Sequence, residues 1–252
     1  MNNEIELGKN IIAASHQGHF FPWLGYLDKM ARCDVFILND VCQITLKSPM
    51  MRNKVLDTKG NWHYFKLSIL KDNYMQLENR QIKLRCWNED REKIEGLFRM
   101  CYGRSDYWEE IWGDIETDIF SKEYEYIIDA QMDTISYLKK CFGITTKIVR
   151  QSSLDCHEME SKSKKIVEKV KKTGAKIYLA GSGAKKYLEP DVIENSGIKL
   201  IFQNFLHPQY PQKVSGGFIG NMSSIDMLFN CGKETARKLF WENIEIERRA
   251  GI

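Results

Sequence analysis

Residues 15–30 read Ser-His-Gln-Gly-His-Phe-Phe-Pro-Trp-Leu-Gly-Tyr-Leu-Asp-Lys-Met. They put two imidazoles, an amide, two glycines and four aromatic rings into one short stretch. His16 and His19 stand three apart, with Gly18 between them, which gives the literal pattern HxGH. Imidazoles held at a strand-to-helix turn can donate to phosphate oxygens and to the negative charge that builds as pyrophosphate leaves, and a glycine lets the backbone approach the nucleotide. The alternative is a turn built of aromatics that pack, with His16 and His19 merely polar.

HxGH is the signature of nucleotidylyltransferases and related adenylating enzymes. A second register fits the surroundings of the stretch better. Trp23-Leu24-Gly25-Tyr26, followed by Leu27 to Cys33 and then Asp34-Val35-Phe36-Ile37, has the spacing those enzymes keep between their second histidine and the acid that opens the next strand. In that register Trp and Tyr replace the imidazoles. Further along, Asp40 and Gln43 follow the second apolar run. Arg52 and Asn53, with Lys47 or Lys54, are suited to anionic oxygens, Arg as a bidentate fork and Lys as a point charge. Gly181-Ser182-Gly183 follows a third apolar run and reads equally as an anion nest or a plain tight turn. It is neither a P-loop nor a dinucleotide fingerprint. Ser223 and Ser224 precede an apolar helix, where two hydroxyls are first of all an N-cap. No metal is expected.

The elements that must position these residues follow from periodicity. Apolar runs at 11–14 and 35–38 read as strands joined through a helix over about 23–32, the right-handed parallel unit. Residues 44–62 have little periodicity and read as a long excursion over the sheet. Strands are expected at 63–70 and 81–84, then helices at 88–103, 108–120 and 124–141, the last closed by Gly143. Strand–helix alternation resumes with strands at 147–149, 176–179 and 198–202 and helices at 161–172 and before Gly197. A helix over about 224–230 ends at Gly232, and another runs from 234 to about 249. The expectation is a single α/β domain over residues 1–252, with a mostly parallel sheet flanked by helices, a nucleotidylyltransferase-like start and a mainly helical insert at about 88–142.

Composition narrows the function classes. Hydrophobic residues make up 43% of the 252 residues and charged residues 28%, the balance of a globular protein with a full core. A net charge of +3 is too mild to point to nucleic acid. The six lysines between 162 and 172 alternate with Ile166, Val167 and Val170 and read as a solvated helix face. The first six residues are acidic where a leader would be basic, and no apolar run approaches the roughly 20 residues of a membrane span. Seven scattered cysteines without a CxxC pair read as reduced cytoplasmic thiols, mostly in the core. A cytoplasmic location follows from that reading.

Several strings resemble a known family. They are His16-Gln17 with Phe20-x-Pro22-Trp23-x-Gly25-Tyr26, then Asp34-Val35-Phe36-x-x-x-Asp40-x-x-Gln43, Arg52-Asn53, and Tyr178-Leu179-x-Gly181. Tyr210-Pro211-Gln212 and Ser224-x-Asp226-x-Leu228-Phe229-Asn230-x-Gly232 complete the set. In order and spacing they are similar to the WbqC-like family of bacterial O-antigen and related surface polysaccharide gene clusters, over about residues 11–232. That family usually has Pro where this chain has Gly18. The resemblance implies an enzyme that places a small acyl or aminoacyl group, glycine in the family proposal, on the amine of a nucleotide-linked amino sugar, with ATP as the source of carboxylate activation. It implies that His16 or His19 binds phosphate or acts as general base, that Asp40 orients the amine, and that Trp23 and Tyr26 wall the pocket. Gln17, Gly25, Gln43, Arg52, Asn53, Lys54, Gly181, Ser182, Tyr187, Tyr210, Gln212, Ser223 and Ser224 complete the candidate binding set. Two alternatives stay open: a transferase using a preformed thioester or tRNA donor, and a non-catalytic sugar-nucleotide binding protein.

Overall fold

The computed structural model describes residues 10–157, 159–214 and 216–249. The amino-terminal stretch read above for a leader lies outside them. The fold is α/β, and the chain groups into two compact units. One comprises residues up to 16, 29–39 and 146–204. The other comprises 17–28, 40–145 and 205 onward. The stretch expected as a helical insert is thus part of a larger unit that also includes the opening turn and the carboxyl-terminal region.

The first unit is built on a parallel sheet of five strands. These are β1 (Ile12–Gln17), β2 (Val35–Asn39), β5 (Lys147–Arg150), β6 (Ile177–Ala180) and β7 (Lys199–Phe202), in the order β5-β2-β1-β6-β7. Their sequences are near-continuous apolar runs because a parallel sheet is covered on both faces. Asp34 fixes the start of the sheet: its carboxylate accepts from the Ile12 N–H at 2.8 Å, and its own N–H donates to the Ile12 carbonyl at 2.9 Å. Ala13, Ile37, Tyr178, Ala180 and Ile198 pack with Ile166 and Val170 of α5 (Lys162–Lys172) and Ile193 of α6 (Pro190–Glu194). Ser161 caps α5, accepting from the Lys164 N–H at 3.2 Å. The lysine-rich face of α5 is not wholly solvated. Lys169 is only 6% exposed, with its Nζ 3.5 Å from Gln151 Oε1. It lies three residues past Ile166 and so shares the buried stripe.

The second unit opens with most of helix α1 (Leu24–Ala31), whose last turn belongs with the sheet. The expected excursion over 44–62 contains a strand. β3 (Arg52–Leu56) pairs antiparallel with β4 (Trp62–Lys66) through a turn carrying Gly60 at φ 84°. The charged residues in β3 hide its period-2 pattern from a hydrophobic count, because one face of a hairpin can be polar. No strand forms over 81–84; a 3₁₀ turn at Asn79–Gln81 and single bridges from Lys83 and Leu84 stand there. The helices α2 (Trp87–Tyr102), α3 (Trp108–Ile115) and α4 (Ile127–Cys141) follow, and a π-helical turn (Glu116–Phe120) continues α3. α7 (Ile225–Arg249) is broken at Gly232, which has φ 73°. A Cβ there would meet the Tyr107 ring at 2.6 Å, so only glycine suits both the conformation and the space. Phe21, Phe65, Phe98, Tyr102, Trp108, Trp112 and Phe229 interlock at the centre of this unit, with Tyr102 and Trp108 stacked on Phe229.

Cys33, Cys101, Cys141 and Cys231 are buried and the other three cysteines are half-buried, all as thiols. Among the described residues no helix is long and apolar enough to cross a membrane. Nor does any group of three or more His, Cys, Asp and Glu side chains converge as a metal site would require.

Candidate functional site

The opening turn is held in an uncommon conformation. Phe21 is fully buried at φ 45°, a left-handed backbone that costs a bulky residue of order 1–3 kcal/mol. Its surroundings impose that conformation. The Phe21 carbonyl accepts from Asn53 Nδ2 at 2.7 Å and from Ser223 Oγ at 2.8 Å, and its N–H donates to Thr134 Oγ1 at 3.2 Å. Ser224 Oγ and the Ser224 N–H both donate to the Pro22 carbonyl, at 2.6 and 3.0 Å. The two serines therefore clamp the Phe21–Pro22 turn from the start of α7, and Asn53 clamps it from β3. Both serine hydroxyls donate to the turn, and Asn53 commits one of its two amide hydrogens to it.

The clamp presents Trp23. Its indole lies across Gly25, where a Cβ would come within 2.3 Å of the ring, so Gly25 is the space the indole occupies. Trp23 then lines a cavity of about 220 Å³ with Lys47, Ser48, Pro49, Arg52, Asn53, Lys54, Tyr64 and Asn221. The hairpin explains the placement of its cations. Arg52 and Lys54 alternate along β3 on one face, opposite Lys66 and Tyr64 of β4. The Arg52 guanidinium stacks 3.8 Å above the Tyr64 ring, and its Nε donates to the Lys47 carbonyl at 2.9 Å. Among the described residues its two Nη groups have no hydrogen-bond partner, so the fork remains available. Lys54 Nζ lies 5.6 Å from the ring of Trp62, a residue 52% exposed. Three cations and two aromatic walls, without a carboxylate among the lining residues, make a site for an anion attached to a flat or ring-shaped group.

Behind this region sits a buried carboxylate. Asp226 is fully enclosed and accepts from Tyr102 OH at 2.6 Å, Tyr210 OH at 2.8 Å and Gln212 Nε2 at 2.8 Å. Burial pushes its carboxyl up, and the three donors pull it back down. Tyr102 OH also accepts the Leu56 N–H at 3.1 Å, which ties β3 to α2. Tyr210 and Gln212 thus serve a structural hub, and their polar atoms are spent on Asp226 and the Ile219 backbone.

The remaining candidates fall elsewhere. His19 is 5% exposed and its ring lies 4.9 Å from that of Tyr26, whose hydroxyl donates to the Gln17 carbonyl at 3.2 Å. Tyr26 is buried in the core beside the turn. Asp40 is fully buried, and its backbone carbonyl accepts from Arg80 N–H. Gln43 donates to the Met75 carbonyl at 2.8 Å. His16 and Gln17 end β1; Gly181 and Ser182 follow β6. Tyr187 is half exposed under Lys162 Nζ at 4.8 Å. The cavity therefore collects Trp23, Arg52, Asn53 and Lys54 of the predicted residues, and does not collect His19, Tyr26, Asp40, Gln43, Tyr210, Gln212, Ser223 or Ser224. Sequence reading missed Tyr64 and Trp62 as partners of the cations. The alternation Trp62-His63-Tyr64, which pairs with Lys54-Val55-Leu56 and sets Tyr64 opposite Lys54, is the signal that would have found them.

The parallel sheet of the first unit defines an α/β protein, and the second unit carries a clamped aromatic turn beside a cationic cavity. The WbqC-like protein family model matches residues 17–238, and the chain belongs to that family. It is 20% identical over 219 residues to a Mycobacterium tuberculosis (strain ATCC 25618 / H37Rv) protein described as "Uncharacterized protein Rv1507c", covering 86% of this chain and 93% of that one. No solved structure matches the chain.

Proposed function

We propose that the protein acts on a nucleotide-linked amino sugar in surface polysaccharide biosynthesis and joins a small acyl or aminoacyl group, glycine in the simplest case, to the sugar amine. The observation that carries this reading is the cavity in which Arg52, Lys54 and Lys47 converge beside Trp23 and Tyr64. A pyrophosphate is the anion that suits several cations at once, and aromatic faces suit sugar or base rings. At about 220 Å³ the cavity is smaller than a typical ligand pocket of about 300–1,000 Å³. It fits the charged middle of such a substrate, with the remainder lying along the exposed Trp62 edge. ATP is the proposed source of carboxylate activation, and a nucleotide-linked substrate places the step in the cytoplasm.

The test is incubation with glycine, a uridine diphosphate amino sugar and ATP, with products followed by mass spectrometry. An amide product with AMP supports ligation. Product formed only from a glycyl thioester or glycyl-tRNA supports transfer from a preformed donor, and binding without turnover supports a carrier. Arg52→Ala with Lys54→Ala is expected to weaken nucleotide-sugar binding at least tenfold. Binding unchanged in that double variant would sink the assignment of the cavity.

A further inference from the structure

The parallel sheet reverses its strand order between β1 and β6. The chain passes from β1 to β2 on one side, while β6 pairs with β1 on the other, with Ala13 opposite Tyr178 and Ala14 opposite Leu179. In open α/β sheets the crevice outside the carboxyl ends of the strands at such a reversal is where ligands bind. Here a buried cation lies at that place. Lys29 is 4% exposed, and its Nζ donates to the Ser15 carbonyl, on the last turn of pleat in β1, at 2.8 Å. A Cβ on Gly181, the residue after β6, would lie 3.7 Å from the same nitrogen. The ammonium is thus bracketed by the ends of the two strands, with no side chain on Gly181 to cover it.

Its own surroundings do not neutralise it. Of three N–H donors, one is used among the described residues. The Ser15 hydroxyl is engaged with Tyr178 OH at 2.9 Å. The groups that act on the Lys29 charge are the Cys33 thiol and the Lys169 ammonium, and no carboxylate is among them. Burial pushes the Cys33 thiol up to about 12, so at neutral pH it is uncharged and supplies no counter-ion. A buried ammonium without an anion is unfavourable, and the usual remedies are a partner charge or loss of the proton.

We propose that the crevice at the carboxyl ends of β1 and β6 is a phosphoryl-binding site in which the Lys29 ammonium supplies the charge. A compact ammonium suits a phosphate oxygen, and the side-chain-free Gly181 lets a tetrahedral anion approach it. The inference is independent of the Arg52 cavity, which uses none of these residues.

The test is titration with inorganic pyrophosphate at pH 7 by calorimetry. With the cavity cations removed (Lys47→Met, Arg52→Met, Lys54→Met), one binding event is expected to persist, and adding Lys29→Met is expected to weaken it at least tenfold. A second measurement needs no substitution. In protein carrying ¹³C at the lysine ε-carbon, the Lys29 signal, assigned by its loss in Lys29→Met, is expected to titrate at least one pH unit higher with saturating pyrophosphate. Retention of pyrophosphate binding after Lys29→Met, or a Lys29 titration that pyrophosphate does not move, overturns the proposal. Stronger effects from acetate than from pyrophosphate overturn the assignment to phosphoryl groups.

Discussion

Replacing Lys29 by Met is expected to make the protein more stable at neutral pH. Burial lowers the Lys29 ammonium from its ordinary value of 10.5 to about 8, with Lys169 adding a smaller push in the same direction and the Cys33 thiol opposing it. At pH 7 the folded protein still holds the proton, but less favourably than the unfolded chain does. The difference between 10.5 and about 8, at 1.36 kcal/mol per pH unit, corresponds to about 3 kcal/mol of destabilisation. Between about 8 and 10.5 the unfolded chain binds more protons than the folded one, so this contribution to stability rises with pH across that window. By pH 10 the penalty has fallen to about 1 kcal/mol by the same linkage. Methionine fits the stem of lysine but forfeits the hydrogen bond to the Ser15 carbonyl, worth about 1 kcal/mol net. The expected gain is therefore about 2 kcal/mol at pH 7, vanishing by pH 10. Urea unfolding of both proteins at the two pH values, in phosphate-free buffer, reads this directly as a shift in midpoint at constant slope. A Lys29→Met protein less stable than the original at pH 7, or a difference that does not change with pH, would refute the reasoning. A gain in stability accompanied by weaker pyrophosphate binding in Lys29→Met would be the stability–activity trade-off expected of a binding residue.

Other expectations rest on the second unit. Asn53→Ala removes the amide that holds the Phe21 carbonyl at a left-handed φ; a loss of about 1–3 kcal/mol is expected in denaturant unfolding. Tyr102→Phe deprives Asp226 Oδ1 of its donor and the Leu56 N–H of its acceptor, and is expected to cost about 2–4 kcal/mol by the same measurement. Tyr210→Phe should couple to it non-additively, because both hydroxyls serve one carboxylate; a double-mutant cycle measures the coupling. Gly25→Ala places a carbon within 2.3 Å of the Trp23 indole and forces the ring to move. Tryptophan fluorescence should shift, and uridine diphosphate amino sugar affinity should fall at least fivefold; an unchanged affinity would show that Trp23 is not a wall of the site.

The elements of the parallel sheet were legible because buried strands are short apolar runs. Residues 11–14, 35–38 and 176–179 mark β1, β2 and β6 to within a few residues. Gly232 was legible as a helix end, and its left-handed backbone is the reason. β3 was not legible, since Arg52, Asn53 and Lys54 spoil any hydrophobic pattern; a charged strand becomes a strand only when β4 arrives to pair with it. Lys169 was misread for a related reason: helical spacing shows which residues share a face, while only the packed sheet decides how wide the buried face is.

The stretch 15–30 shows the same division within itself. Its residue types alone marked it as a turn where chemistry is expected, and its strings carried the family membership across most of the chain. Spacing could not say which side chains would face a ligand, because that depends on partners 30 to 200 residues away. Ser223 and Ser224, plausible ligand contacts by type, donate their hydroxyls to the clamp on Phe21 and Pro22, and Asn53 gives it one amide hydrogen. Lys29, an ordinary helical lysine by pattern, is left buried without a counter-charge where two strands diverge. The sequence determined the sheet, the turn and the family. Tertiary packing decided which polar groups are satisfied internally and which remain to bind, since hydrogen-bond satisfaction is a property of the folded surroundings and not of the residue.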